Sequence, residues 1–318
     1  MKIEQRSGLD ARPECATRIG RPVRVLSLGF IPRPDFEAVA AIIDREARAP
    51  VDLVVLPETW HATATSEPQT LDGPIIACMR QAARRNNTYL VCPLDRTDGR
   101  DRWNSAVLID RRGEIAGVYD KVYVYWSEFE KQPPVRNGSV VPVFQCDFGR
   151  VGLAICFDVN FAGPWQLLAR QGAELVIWPS AYSAGSSLQA HALMHHYYIV
   201  TSTLQCDCTA IDITGRQLLH QQQPGLNVAR VTLDLDRGLY HQDSVQDKLR
   251  RLLDEHAGEV EAEPFMNREG WYVVQALKPG VSVRDLARQY EIEDLRDYIP
   301  RSLREIDAMR GGPLREMR

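Results

Sequence analysis

The sequence predicts an α/β protein in which two stacked β-sheets lie between two helical layers. Three observations lead there. Short apolar runs alternate with segments of helical periodicity, hairpin-like pairs of runs are interleaved with them, and the chain is long enough for a substantial core. Strand–helix repeats mixed with hairpins give a sheet whose one face is covered by helices while the other still has to be buried, and a second sheet satisfies that need. With 318 residues, the chain suffices for one large α/β domain or two ordinary ones. A chain of that size buries about 75% of its unfolded surface and needs no disulfide or metal staple.

The elements follow in order. Residues 1–21 are polar and read as a lead-in. Val23 to Phe30 is an apolar strand, and Asp35 to Arg48 places Phe36, Val39, Ala40, Ile43 and Ala47 at helical spacing behind an Asp35 N-cap. Val51 to Leu56 is a second strand, running into Pro57-Glu58-Thr59-Trp60. Pro74 to Arg85 is a helix with proline in its first turn, where the missing N–H costs nothing. Tyr89 to Pro93 is a strand, and Trp103 to Asp110 with Glu114 to Tyr119 forms a hairpin around Arg111-Arg112-Gly113. Val140 to Cys146 and Val151 to Cys156 make another such pair. Pro164 to Arg170 is helical, Leu175 to Trp178 a strand, Leu188 to Tyr198 helical, and Ile199 to Gln205, Thr209 to Ile213 and Val228 to Leu233 close the set with strands.

From about His241 the character changes. Asp247 to His256 is charged, Glu259 to Glu263 is acidic, and Val283, Leu286, Tyr290, Leu295 and Ile299 fall at roughly helical spacing. The expected organisation is therefore a lead-in over 1–21, a main domain over 22–240, and a helical extension over 241–318 that packs on the core or at a subunit interface.

Composition narrows the function. A net charge of −4 argues against a general nucleic-acid binder, and no segment approaches the roughly 20 apolar residues of a membrane span. The first residues lack the apolar centre of a signal peptide, and seven cysteines scattered through apolar stretches point to reduced thiols, hence a cytoplasmic setting.

Three apolar strands end in three different reactive groups: Glu58, Lys121 and Cys156. Taken singly, each has a bland reading, as a loop carboxylate, a snorkelling lysine and a buried thiol. Together they make chemical sense. A thiol near neutral pH is only a few per cent thiolate and needs a base. A carboxylate whose pKa is raised by desolvation can take that proton and return it to a leaving amine. A lysine ammonium can hold the oxyanion of a tetrahedral intermediate. The chemistry this set supports is acyl transfer to water through a thioester.

Val55-Leu56-Pro57-Glu58, Tyr119-Asp120-Lys121 and Gly152-Leu153-Ala154-Ile155-Cys156-Phe157-Asp158 resemble the three signature blocks of the nitrilase superfamily of carbon–nitrogen hydrolases, in the same order. Asn104-Ser105-Ala106, Asp110-Arg111-Arg112-Gly113, Phe148-Gly149-Arg150-Val151-Gly152, Gln171-Gly172-Ala173-Glu174 and Trp178-Pro179-Ser180-Ala181 fit as well, so the likeness covers roughly residues 22–240. It implies a four-layer α-β-β-α sandwich, with Glu58 as general base, Lys121 as oxyanion stabiliser and Cys156 as nucleophile. It also implies a second glutamate, for which Glu128 is preferred over Glu130, an oxyanion N–H from Phe157, and a pocket position for Tyr182. Phe157-Asp158 resembles the Tyr-Asp of amidase and carbamoylase branches rather than the Trp-Glu of true nitrilases. The expected function is therefore hydrolysis of amide or N-carbamoyl C–N bonds with release of ammonia or an amine. Nitrile hydrolysis on the same site, or a non-catalytic scaffold on this fold, is the alternative. The resemblance further implies a homo-oligomer, a dimer or higher.

Two departures stand out. Asp120 occupies a position that is often arginine, and Ala190-His191-Ala192-Leu193-Met194-His195-His196 replaces an Ala-Arg-Ala-x-Glu-Asn pattern. His191, His195 and His196 with Cys206-Asp207-Cys208 have no zinc-motif spacing and read as a polar helix face plus core thiols, and no phosphate-binding glycine loop occurs. No metal and no cofactor are expected. Glu67 to Gly73, Trp126 to Gly138 and Tyr182 to Ser187 are expected to shape the pocket.

Overall fold

A computed structural model describes residues 19–33, 35–62, 66–263 and 268–314. The chain divides into two compact units, Val23–Leu233 and Met1–Pro22 joined with Asp234–Arg318.

The larger unit carries two six-stranded sheets. In the first, β1 (Pro22–Phe30), β2 (Leu53–Val55) and β3 (Tyr89–Thr97) run parallel, and β4 (Arg102–Ile109) and β5 (Ile115–Asp120) extend it as an antiparallel meander, with one later strand beyond β1. The second sheet contains β6 (Val143–Gln145), β7 (Arg150–Leu153), β8 (Leu175–Ser180), β9 (Tyr198–Thr203), β10 (Asp207–Ile211) and β11 (Gln217–Gln222), in the order 11-10-9-8-7-6. Strands β7, β8 and β9 are parallel, flanked by antiparallel neighbours. The last strand, β12 (Leu226–Asp234), returns to the first sheet beside β1.

The sheets meet closely. The hydroxyl of buried Ser27 donates to the Thr201 carbonyl at 2.6 Å, and that of Ser202 to the Leu28 carbonyl at 2.6 Å, so polar groups on the inner faces are satisfied across the interface. A Cβ on Gly29 would lie 2.9 Å from the Asp207 carbonyl oxygen, which is why no side chain fits there.

Helices α1 (Phe36–Glu46) and α2 (Pro74–Arg85) cover the outer face of the first sheet. Asp35 caps α1 by accepting from the Ala38 N–H at 3.0 Å, a contact worth about 1 kcal/mol, and Pro74 opens α2. Val39, Ile43, Ile76 and Met79 bury themselves against Leu28, Val54, Leu90 and Val107. Each such side chain contributes roughly 1.5–3 kcal/mol by leaving water. Helices α3 (Ala162–Arg170) and α4 (Ser186–His195) form the other outer layer, with Trp165, Leu168, Leu188 and Ala192 buried. Gly152 leaves room for α3, since a Cβ there would stand 2.7 Å from Leu168 Cδ2. The four-layer architecture is thus as the periodicities predict.

In the larger unit, one strand escapes the sequence reading. β11, Gln217-Leu218-Leu219-His220-Gln221-Gln222, is an edge strand with mostly exposed side chains, so it shows no apolar run.

In the smaller unit, β13 (Gly238–His241), β15 (Trp271–Ala276) and β14 (Val260–Glu263) pair antiparallel, with β15 central. Helices α5 (Gln242–Glu255), α6 (Val283–Gln289) and α7 (Leu295–Arg310) accompany them. The apolar spacing from Val283 to Ile299 falls on α6 and α7, while α5 covers the stretch read only as charged and the sheet is an addition to that reading. The acidic stretch is a strand because Val260 faces the core while Glu261 and Glu263 bond outward to Gln275 and Arg237. Tyr240, Leu249, Leu252, Val274 and Leu286 share its separate core. The division at Leu233 precedes the expected 240 because Gly238–His241 pairs with β15. Of the lead-in, residues 1–18 lie outside the described residues. Among the described residues, no helix is long and apolar enough to cross a membrane.

Candidate active site

Glu58 sits just past β2, where the chain turns sharply through Thr59 at φ +39°. The turn is held by buried His61, whose Nε2 accepts from the Asp95 N–H at 3.2 Å; burial pushes this histidine down to about 4 and keeps it neutral at physiological pH. The Glu58 carboxylate is almost wholly buried, and all its contacts are donors. Oε1 accepts from Lys121 Nζ at 2.9 Å and from Asn104 Nδ2 at 2.7 Å, while Oε2 accepts from the Ala181 N–H at 2.7 Å.

Lys121 follows β5 directly and is 1% exposed. Its ammonium donates to Glu58 and, at 2.7 Å, to Glu128 Oε2. Glu128 lies in the 3-10 turn Trp126–Glu130 and also accepts from the Tyr125 N–H at 2.9 Å and from Asn104 Nδ2 at 2.8 Å. Glu130, the alternative second glutamate, is exposed. The structure therefore brings Glu128 to the lysine. A lysine this deeply buried persists as a cation only because two carboxylates face it. Burial alone would lower its pKa, but Glu58 and Glu128 hold it above the ordinary lysine value.

Cys156 opens the 3-10 turn Cys156–Asn160 with φ +45°, a strained value for a non-glycine residue and a recurrent feature of functional turns. Trp178 Nε1 donates to its carbonyl at 3.1 Å, and the sulfur lies against Ser180 and the Ala181 N–H. The Glu58 carboxylate is close enough to the thiol for its charge to act on it. Burial, followed by the negative charge of Glu58, pushes it up to about 12, so the resting sulfur carries its proton.

The carboxylate behaves differently from the expectation. Desolvation does raise the pKa of Glu58, but the Lys121 charge and its hydrogen bonds outweigh burial and leave it below the ordinary value. The resting site thus holds a neutral thiol, a carboxylate anion and a lysine cation.

The aromatic residues fall into place around this set. Phe157 is half-buried, its ring edge-on to Tyr125 at 5.2 Å and to Phe161 at 5.3 Å. Tyr182 packs edge-on against Trp178 at 5.6 Å, its N–H donating to Ser180 Oγ at 3.0 Å.

Three parts of the site carry no assigned role in the sequence reading. Asn104 uses a single amide nitrogen to bridge both glutamates. Its signal is a polar Asn104-Ser105 pair inside an otherwise apolar strand, which burial tolerates only when the groups are bonded. Asp158 accepts from Tyr119 Oη at 2.6 Å, from the Ile155 N–H at 2.8 Å and from the Tyr123 N–H at 2.8 Å. Burial nonetheless pushes it up to about 6. Ser180 lies beside the sulfur at the end of β8.

Both departures have partners in the fold. Asp120 accepts from Arg96 on β3, two strands away, at 2.9 Å and from Ser105 on the paired strand at 2.5 Å. His191 stacks on Trp165 at 4.3 Å and contacts the Val159 carbonyl through Nε2 at 2.9 Å, bracing the turn from behind. Among the described residues, no group of three or more metal-ligating side chains is assembled.

Residues 32–238 match the carbon-nitrogen hydrolase family. Among curated proteins, the chain is 28% identical over 185 residues to the nitrilase and fragile histidine triad fusion protein NitFhit of Drosophila melanogaster, covering 52% of this chain but only 40% of the fusion protein. It is 27% identical over 237 residues to the deaminated glutathione amidase of Mus musculus, covering 63% and 73% of the two chains. Among solved structures, Saccharomyces cerevisiae Nit3, a member of branch 10 of the nitrilase superfamily, superposes with a TM-score of 0.60 at 18% identity, over 73% of this chain and 94% of that one, a likeness of fold. Sequence match and signature blocks agree: the chain belongs to the carbon-nitrogen hydrolase family.

Proposed function

We propose that the protein hydrolyses amide or N-carbamoyl C–N bonds through a Cys156 thioester. The observation that carries this reading is the Lys121 ammonium, held between Glu58 and Glu128 while the charges of Glu58 and Lys121 both act on the Cys156 thiol.

The charge arrangement supports a particular order of events. Before substrate arrives, proton transfer from the high-pKa thiol to the low-pKa carboxylate is strongly uphill. When a carbonyl carbon is attacked, negative charge develops on its oxygen. Lys121 has three N–H donors and spends two on the glutamates; the third, with the Phe157 N–H, serves that oxygen. As the ammonium's charge is drawn to the oxyanion, Glu58 becomes more basic and accepts the thiol proton in the same step. Collapse of the intermediate breaks the C–N bond, and Glu58 returns that proton to the departing nitrogen, leaving the thioester. A water then adds to the thioester carbonyl, Glu58 takes its proton, and collapse releases the acid and restores the thiol. Glu128 and Asn104 position Lys121 and Glu58 throughout, and Tyr182 borders the bound acyl group.

The direct test is ammonia release across primary amides, N-carbamoyl amines and nitriles. Turnover of amides or carbamoyl compounds, absent in Cys156→Ala, is the expected result. Turnover of nitriles alone, or of nothing, would defeat this reading.

A further inference from the structure

Five aromatic rings form a continuous strip centred on the residue after the nucleophile. Tyr123 stacks on Phe161 at 3.8 Å, Phe161 meets Phe157 at 5.3 Å, Phe157 meets Tyr125 at 5.2 Å, and Tyr125 meets Trp126 at 5.8 Å. The strip is tied to the site at both segments. Phe157 adjoins Cys156, and the Tyr125 N–H is bonded to Glu128. Yet Tyr125 is 41% exposed and Trp126 62%, so large apolar surfaces are held in water beside the reactive sulfur.

The charge pattern is equally specific. Residues 122–127, 157–163 and 181–187, which follow Lys121, Cys156 and Ser180 in the chain, together contain one charged side chain, Asp158, which is buried and accepts three hydrogen bonds. The cations close to the Glu128 turn are already committed: Arg102 and Lys131 both pair with buried Asp95, at 2.5 and 3.4 Å. Glu130 adds an exposed anion at the outer end of the same turn. A substrate carboxylate entering here would lose its hydration, while among the described residues Arg102 and Lys131 are turned to Asp95 and Lys121 is held by Glu58 and Glu128.

Building on the proposed hydrolase reading, we infer that the strip binds an uncharged aromatic group of the substrate, making the preferred class neutral aryl or arylalkyl amides. Flat rings stack on Trp126 and Tyr125 with little loss of side-chain freedom, and the amide carbonyl then reaches the sulfur across Phe157. Anionic N-carbamoyl amino acids and dicarboxylate monoamides are disfavoured.

The test compares kcat/KM for phenylacetamide and 3-phenylpropionamide with acetamide, succinamate and N-carbamoylalanine, in the wild type and in Trp126→Ala and Tyr125→Ala. The expected wild-type preference for the aryl amides over acetamide is at least about tenfold, and each substitution cuts that ratio by about tenfold, the scale of one apolar contact in a substrate pocket. Faster turnover of the carboxylate substrates, or a ratio unmoved by both substitutions, overturns the inference while leaving the hydrolase intact. If Trp126→Ala instead changes the oligomeric state with the ratio unmoved, a second copy of the chain covers the strip and the inference is wrong. No ammonia from any compound, together with no fluoroacetamide adduct on Cys156, overturns the hydrolase reading itself.

Discussion

Tyr119 Oη donates to Asp158 Oδ2 at 2.6 Å, joining the strand that delivers Lys121 to the turn that delivers Cys156. One buried carboxylate thus fixes the relative position of two reactive groups carried on different sheets. Removing the hydroxyl in Tyr119→Phe should cost about 1.5–3 kcal/mol, the range for a hydrogen bond to a charged group. Denaturant unfolding checks the loss.

Asp158 also gives the fold a pH dependence of known sign. Its native pKa, about 6, lies above the ordinary aspartate value of 3.8. The associated stability is therefore fully present below the unfolded value and is lost as pH rises through about 6, by on the order of 3 kcal/mol. Asp158→Asn should flatten this part of the stability curve between pH 4 and 7, as measured by unfolding at each pH.

Asn104 keeps the two glutamates bonded to a neutral donor. Asn104→Asp would set a third carboxylate against Glu58 and Glu128, raising the pKa of Glu58. The acid limb of kcat should move upward, with kcat down by roughly 10²-fold at neutral pH, whereas a fault in folding alone would lower the active fraction without moving the limb.

The fold was largely legible because its evidence is periodic. Apolar runs at Val23 to Phe30 and Leu175 to Trp178 are buried on both faces and announce themselves, while Gln217–Gln222, an edge strand, carries no such pattern. Glu58, Lys121 and Cys156 were visible because each closes an apolar run. What no local pattern could give was their electrostatics. Desolvation alone raises a carboxylate's pKa, and only the 2.9 Å approach of Lys121 from a strand 63 positions later reverses the sign at Glu58. Asp158 is similar: the sequence shows only that it follows Phe157, and Tyr119 and two backbone N–H groups converge on it only in the fold.

Glu128 and Glu130 differ by burial and partners, and so should their substitutions. Glu128→Gln removes a charge facing Lys121 and should lower kcat/KM by roughly 10–100-fold, as expected for a buried hydrogen-bonded charge. Glu130→Gln should leave it within about twofold, as for an exposed side chain. Steady-state kinetics on both variants separates them.

The pH profile of kcat/KM follows from the resting charges. Glu58 must be ionised, and its depressed pKa puts the acid limb below 4.5. Cys156, pushed up to about 12, keeps its proton well past neutrality, so no basic limb from the thiol is expected up to about pH 9.

The claim on which the rest depends is that Cys156 attacks a carbonyl with Glu58 as its base. Intact-protein mass spectrometry after brief mixing with a hydrolysable amide tests it most directly. In Glu58→Gln, where both acylation and hydrolysis of the thioester lack their base, turnover should fall by roughly 10³-fold or more. In the wild type, an acyl increment mapping to Cys156 should appear and decay with ammonia release, and Cys156→Ala should show neither. Amide turnover persisting in Cys156→Ala, or an acyl group found on another residue, would contradict it.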